Sequence, residues 1–236
     1  MCPTPTESDH TQNIGATVAL DGSKDIVPSW IPDHDAARSA FVYAREHLHS
    51  LIFAHSVRVY LLAYSLGTRE NSTWVSPDEV HLLFAACMLH DAGTSDAHNG
   101  SQRFEVEGGD AATALLRQHS VSDSAIHEVW VAIALHTSPG IAERISELAR
   151  LVRLAVAMDF KRPAALALTT QEEIDDVEAD WPRGEIEKVL GDAVVGQVLH
   201  ASEEDGGVKA PAASWPGVLV RSAKENADWQ GVNRAF

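Results

Sequence analysis

LLFAACMLHD, residues 82–91, is the stretch that decides how this chain folds. Its first eight residues are all apolar, so a helix here offers no polar face to water and must be buried all round. It then ends in two adjacent ionisable groups, His90 and Asp91. Burying both is costly unless each finds a partner. A divalent cation satisfies an imidazole nitrogen and a carboxylate oxygen together, and that donor pair suits zinc, iron or manganese. Taken alone, the dipeptide equally fits a helix end where both groups face solvent or each other.

Upstream of that run, Ser76 reads as an N-cap, Pro77 as the first helical residue, and Asp78 and Glu79 as acids at the positive helix end. The helix is expected to stop near Gly93. Two further apolar segments carry isolated polar groups. IFAHSVRVYLLAYSLG (52–67) places His55 in a helix expected over 49–66, with Gly67 as its C-terminal cap. SELARLVRLAVAMDF (146–160) predicts a central buried helix ending in Asp159. His55 by itself also fits a hydrogen-bonded core histidine. Asp159 by itself fits an ion pair with Lys161 or Arg162, since a buried carboxylate needs a cation or several donors.

Helical periodicity predicts further helices over 34–47, 109–119, 122–136, 170–180 and 185–201, with a short one after a loop at 203–217. The polar, glycine-containing segment 94–109 reads as a loop. No strand pair or internal repeat is visible, so the expected fold is an all-α bundle. Three helices of such a bundle can bring His55, His90, Asp91 and Asp159 onto one cation. The acidic run QEEIDDVEAD (171–180) reads as a solvated helix face.

The 236 residues are 45% apolar, enough for a sizeable core. Residues 1–32 are rich in Thr, Ser, Pro, Gly and Asp without a period and read as a tail or extended arm, leaving 33–236 as one domain. The formal net charge of −16 argues against nucleic acid or an anionic membrane as the main partner. There is no apolar signal region at the N-terminus and no run long enough to span a bilayer, so a cytoplasmic protein is expected. Cys2 and Cys87 suggest neither a disulfide framework nor a cysteine metal site.

The order H…HD…D resembles the HD superfamily of metal-dependent hydrolases. HSVRVY (55–60), LHDAGT (89–94), FEVEGG (104–109), LHTSPGIA (135–142) and SWPG (214–217) sharpen this into a resemblance to the fungal-type cyanamide hydratase family, over roughly residues 28–220. The resemblance implies an HD-domain helical bundle and a bound metal, zinc with iron or manganese as alternatives. It implies a homodimer that adds water to cyanamide, a small neutral substrate, to give urea. Where phosphohydrolases of the superfamily often carry a lysine after His-Asp-x-Gly, this chain has Thr94. An anionic substrate wants cationic neighbours, and Arg58 and Arg103 are the cations in view; Arg58 also fits an ion pair with a buried acid.

On this reading His55, His90, Asp91 and Asp159 hold the metal. His136, at the end of VWVAIALH (129–136), moves a proton or holds substrate, or else caps its helix. Asp91 assists as ligand and base together. Thr94, Phe104, Glu105, Thr137 and Arg58 are candidate substrate contacts, and Glu105 with Gly108 and Gly109 is expected to shape a loop over the site. The alternatives are hydrolysis of another small metabolite (an amide, formyl compound or isocyanide) or of a phosphate ester.

Overall fold

A computed structural model describes residues 28–226, 228 and 229. The chain runs through α1 (Asp35–His47), α2 (Ser50–Glu70), α3 (Val80–Leu89), α4 (Phe104–Gln118), α5 (Asp123–Leu135), α6 (Ala142–Ile145), α7 (Glu147–Asp159), α8 (Pro163–Leu166), α9 (Gln171–Asp180), α10 (Ile186–Leu199), α11 (Glu203–Lys209) and α12 (Trp215–Glu225). No strand occurs among the described residues. The expected all-α bundle is what the chain forms. No helix of the described residues is long and apolar enough to cross a membrane.

The apolar run of the sequence sits at the centre. Every residue of α3 from Leu82 to Leu89 is buried. The helix packs against α1, α2, α5 and α7, while α4 lies along α5 and α1. Each fully buried Leu, Met or Phe contributes about 1.5–3 kcal/mol, and Leu83, Phe84, Met88 and Leu89 are all sealed from solvent. α10 and α12 pack together at one side, where Val194, Val195, Leu219 and Val220 form a second small core around Phe104.

Three helix boundaries differ from expectation. α2 does not stop at Gly67 but runs to Glu70 and closes on Asn71 in the left-handed conformation at φ 57°. Gly67 is instead a close-packing position: a Cβ there would lie 2.7 Å from Cγ1 of Val75. α3 begins at Val80, after a turn in which the Ser76 carbonyl accepts from the N–H groups of Glu79 and Val80, and no side chain caps it. α4 begins at Phe104, so FEVEGG is helical rather than a loop. The two glycines mislead because they signal breaking, whereas here they permit contact. Gly108 brings α4 within van der Waals reach of the backbone of Leu89, His90 and Gly93, and Gly109 lies under the ring of Trp130.

Near the C-terminus the expected loop at 203–217 contains α11, and Ser214 caps α12 through the N–H of Gly217. The expected arm falls mostly on residues 1–27, outside the described residues. Its last residues lie on the bundle: Ile31 is buried, and Trp30 packs edge-on against Phe41 and Trp181.

Candidate metal centre

The turn after α3 is held by its own short side chains. The Thr94 hydroxyl donates to the Asp91 carbonyl at 2.7 Å, and the Ser95 hydroxyl to the Ala92 carbonyl at 2.8 Å. A Cβ at Gly93 would lie 1.9 Å from the Phe104 carbonyl oxygen, so only glycine lets α4 close on this turn. The Gln197 side-chain amide, from α10, donates to the Gly93 carbonyl. The result is a rigid corner that turns His90 and Asp91 inward, both with no exposed surface.

Around that corner the imidazoles are set by what their Nδ1 atoms meet. Nδ1 of His90 faces the Cys87 carbonyl at 2.7 Å, and Nδ1 of His136 faces the Ile133 carbonyl at 2.6 Å. A carbonyl only accepts, so each Nδ1 carries a proton and each ring turns its Nε2 the other way, where a neutral imidazole offers a lone pair. His55 does the same with a carboxylate, its Nδ1 lying 2.6 Å from Oδ2 of Asp159. The three Nε2 atoms converge on Asp91: His90 at 3.2 Å and His55 at 3.7 Å from Oδ2, His136 at 3.5 Å from Oδ1. Nε2 of His55 and Nε2 of His90 stand 3.2 Å apart.

With the rings neutral, this is a cluster of acceptors without a donor. Both carboxylate oxygens of Asp91 are buried with no hydrogen-bond partner, an arrangement that costs several kcal/mol unless a positive charge completes it. One donor atom each from His55, His90 and Asp91 lie within 4.8 Å of one another. The donor set of two nitrogens and an oxygen, with further room beside it, fits a divalent cation that keeps an open coordination position. Burial opposes ionisation of Asp91, yet His90 and His136 beside it hold its carboxyl well below the usual range. Burial also opposes a charged His90, but the neighbouring Asp91 outweighs it and the pKa rises. At His55 burial prevails over the pull of Asp159 and the pKa falls.

Asp159 stands outside the cluster of three. Its carboxylate lies on the Nδ1 side of His55 and takes two hydrogen bonds from Arg58, at 2.7 and 2.9 Å. Arg183 approaches the same carboxylate at 3.5 Å and also bonds the Asp159 carbonyl. Burial opposes its ionisation, but His55 and Arg58 hold its pKa below the ordinary value. The partners of Asp159 are thus Arg58 and Arg183, from α2 and the turn after α9, rather than Lys161 or Arg162; Lys161 pairs with Glu178. An Asp that orients a histidine from behind is a familiar support for a metal ligand.

A cavity of about 50 Å³ opens beside the cluster. His55, His90, Asp91, His136 and Thr137 form one wall; Phe160, Leu190 and Trp215 add apolar surface, and Arg153, Arg162 and Glu187 add charge. Of the expected substrate contacts, Thr137 lines the cavity and the other four do not. Arg58 is fully buried on Asp159 and the Trp181 and Pro182 carbonyls. The Thr94 hydroxyl is occupied by the Asp91 carbonyl. Phe104 packs edge-on against His136 at 5.6 Å and tilted against Trp215 at 5.8 Å. Glu105, in α4 and not a loop, accepts from Thr137 at 2.6 Å and from Arg103 at 2.6 Å. Arg153 was not among the expected site residues, although an arginine amid the apolar residues Leu151–Met158 is a signal. Trp215 lies within the SWPG motif but was given no place at the site, and Glu187, on a distant helix, carried no signal.

Residues 52–159 match the family model described as HD domain. The HD domain match spans α2 to α7, and with it every residue of the acceptor cluster. It supports the coarse reading of a metal-dependent enzyme built on an HD helical fold. No curated protein matches the chain. Beyond the matched residues, α10 and α12 supply Glu187, Leu190 and Trp215 to the cavity.

Proposed function

We propose that this protein is a metal-dependent hydratase that adds water to cyanamide or a similarly small nitrile-like molecule, giving urea or the corresponding amide. The observation that carries the reading is the buried, unpartnered Asp91 carboxylate ringed by three Nε2 lone pairs. The choice of cyanamide rests on the resemblance carried by HSVRVY, LHDAGT, FEVEGG, LHTSPGIA and SWPG. The cavity supports a substrate of that size. One water needs about 10–15 Å³ of such volume, so the cavity of about 50 Å³ accommodates a molecule of few heavy atoms.

His55, His90 and Asp91 would hold the cation, zinc in the first instance, with Asp159 fixing the His55 ring. When bound, the cation supplies Lewis-acid chemistry, lowering the pKa of water from about 15.7 toward 7 and polarising the nitrile. The proton is handled by the chain. His136 is fixed by the Nδ1 contact to Ile133 and by Arg153, whose Nη1 donates to the His136 carbonyl at 3.2 Å. Its Nε2 is therefore positioned to take the proton released by the attacking water and return it to the nitrile nitrogen, giving the isourea or imidic acid, which becomes urea or the amide when the hydroxyl proton moves to nitrogen. Phe160, Leu190 and Trp215 keep bulk water from the reacting carbon.

The test is urea formation from cyanamide by zinc-loaded protein, with metal content measured and His90→Ala as control. We expect about one metal per chain and urea from the parent protein, with both lost in His90→Ala. Protein that holds its metal but forms no urea would refute cyanamide as substrate and direct the search to small amides, formyl compounds and isocyanides.

A further inference from the structure

The cavity wall opposite in character to the acceptor cluster holds two arginines, and their donors are differently engaged. Arg153 is buried. It donates to the His136 carbonyl and lies 3.5 Å from Oε1 of Glu143. Arg162 lines the same cavity from the turn between α7 and α8, and no hydrogen bond or ion pair among the described residues reaches its guanidinium. Its Nε is buried. An N–H sealed from water without an acceptor is as costly as a stranded acceptor. Glu187, also in the wall, stands near enough for its charge to act on Arg162, but its carboxylate is 40% exposed and turned to Arg183 at 3.4 Å. In formal charge Asp91 and Glu187 only balance Arg153 and Arg162, so a bound divalent cation leaves the cavity positive.

We infer that Arg162 forms an acceptor-binding subsite that takes a small planar carboxylate, and that in turnover it holds the acceptor atom of the trigonal group being formed. A guanidinium presents its donors in one plane, matched by a carboxylate and, with fewer contacts, by the planar carbonyl of an amide or urea. The small cavity admits a molecule the size of acetate more readily than a tetrahedral phosphate. Arg162 thus determines specificity for products with a planar carbonyl, and small carboxylates compete for its place. This rests on the reading that the cavity is where substrate binds.

The experiment is calorimetric titration of zinc-loaded protein with acetate and, separately, with inorganic phosphate. The parent protein, Arg162→Gln and Arg162→Lys are compared, each also assayed for urea formation. Arg162→Gln removes no hydrogen bond made within the described residues, so its thermal midpoint is expected to match the parent's. Acetate is expected to bind the parent, to bind Arg162→Gln about tenfold or more weakly, and to fall between the two for Arg162→Lys. Acetate should also inhibit competitively. Equal acetate affinity in parent and Arg162→Gln would place the anion on the cation alone and overturn the subsite, as would absence of binding. Tighter binding of phosphate than of acetate would overturn the planar carboxylate. Arg162-dependent acetate binding without any urea formation would leave the subsite standing and remove cyanamide. Urea formation with Arg162-independent binding would do the reverse.

Discussion

Replacing Arg58 by methionine tests how the centre is electrically supported. Arg58 is fully buried and gives Asp159 two hydrogen bonds, at 2.7 and 2.9 Å, with a third bond to the Trp181 carbonyl at 3.0 Å. Methionine keeps much of the apolar stem but strands the Asp159 carboxylate, leaving it His55 and the more distant Arg183. Breaking a buried pair by removing one partner costs about 3–5 kcal/mol. In a domain of this size about 2–4 °C of melting temperature goes with each kcal/mol, so the midpoint should fall by roughly 6–20 °C. Asp159→Asn should then change sign with its background. In the parent it weakens the Arg58 bonds and destabilises; beside Arg58→Met it removes the stranded charge, keeps an acceptor for His55, and stabilises. The assay is chemical and thermal unfolding of all four proteins in chelator, read by circular dichroism. A loss below about 1 kcal/mol for Arg58→Met, or an equal cost of Asp159→Asn in both backgrounds, would refute the reasoning.

Gly93→Ala should cost more than the usual 1–3 kcal/mol of overpacking, because its Cβ meets a backbone carbonyl at 1.9 Å rather than a side chain that can move; unfolding midpoints check this, and a tolerated alanine would contradict the close approach of α4. Glu173 provides a pH prediction. Burial opposes its ionisation, but bonds from Ser65, Thr169 and Arg69 outweigh that and lower its pKa. Its contribution is therefore full above the unfolded carboxylate pKa of about 4.3 and lost as pH falls through the lower folded value. Melting temperature should drop less steeply with acid in Glu173→Gln than in the parent, and parallel curves would count against the assignment.

Much of the fold can be read from composition along the chain because burial is written locally. The apolar run 82–89 had to be a core helix, and Ser122, Ser146 and Thr170 mark helix starts that the structure keeps. Glycines misled at Gly67, Gly108 and Gly109, since one residue type signals either a break or a close approach, and only the neighbour across the gap decides. The acidic run 171–180 reads as solvated, yet within it Glu173 ties α9 to Arg69 of α2 and Glu178 holds Lys161.

At the site, the sequence by itself determined that His55, His90, Asp91 and Asp159 follow or interrupt apolar helices and would need partners if buried, and the structure buries all four. Which partners they take was decided by tertiary structure. Convergence of three Nε2 atoms on Asp91 depends on ring orientations set by carbonyls and by Asp159, and Asp159 itself is drawn behind His55 by arginines from α2 and from the turn after α9. Glu187 and Trp215, far along the chain from the acceptor cluster, reach the cavity only because α10 packs on α2 and α12 packs on α10. Such relations join residues far apart in the chain, and no local pattern encodes a distance between them.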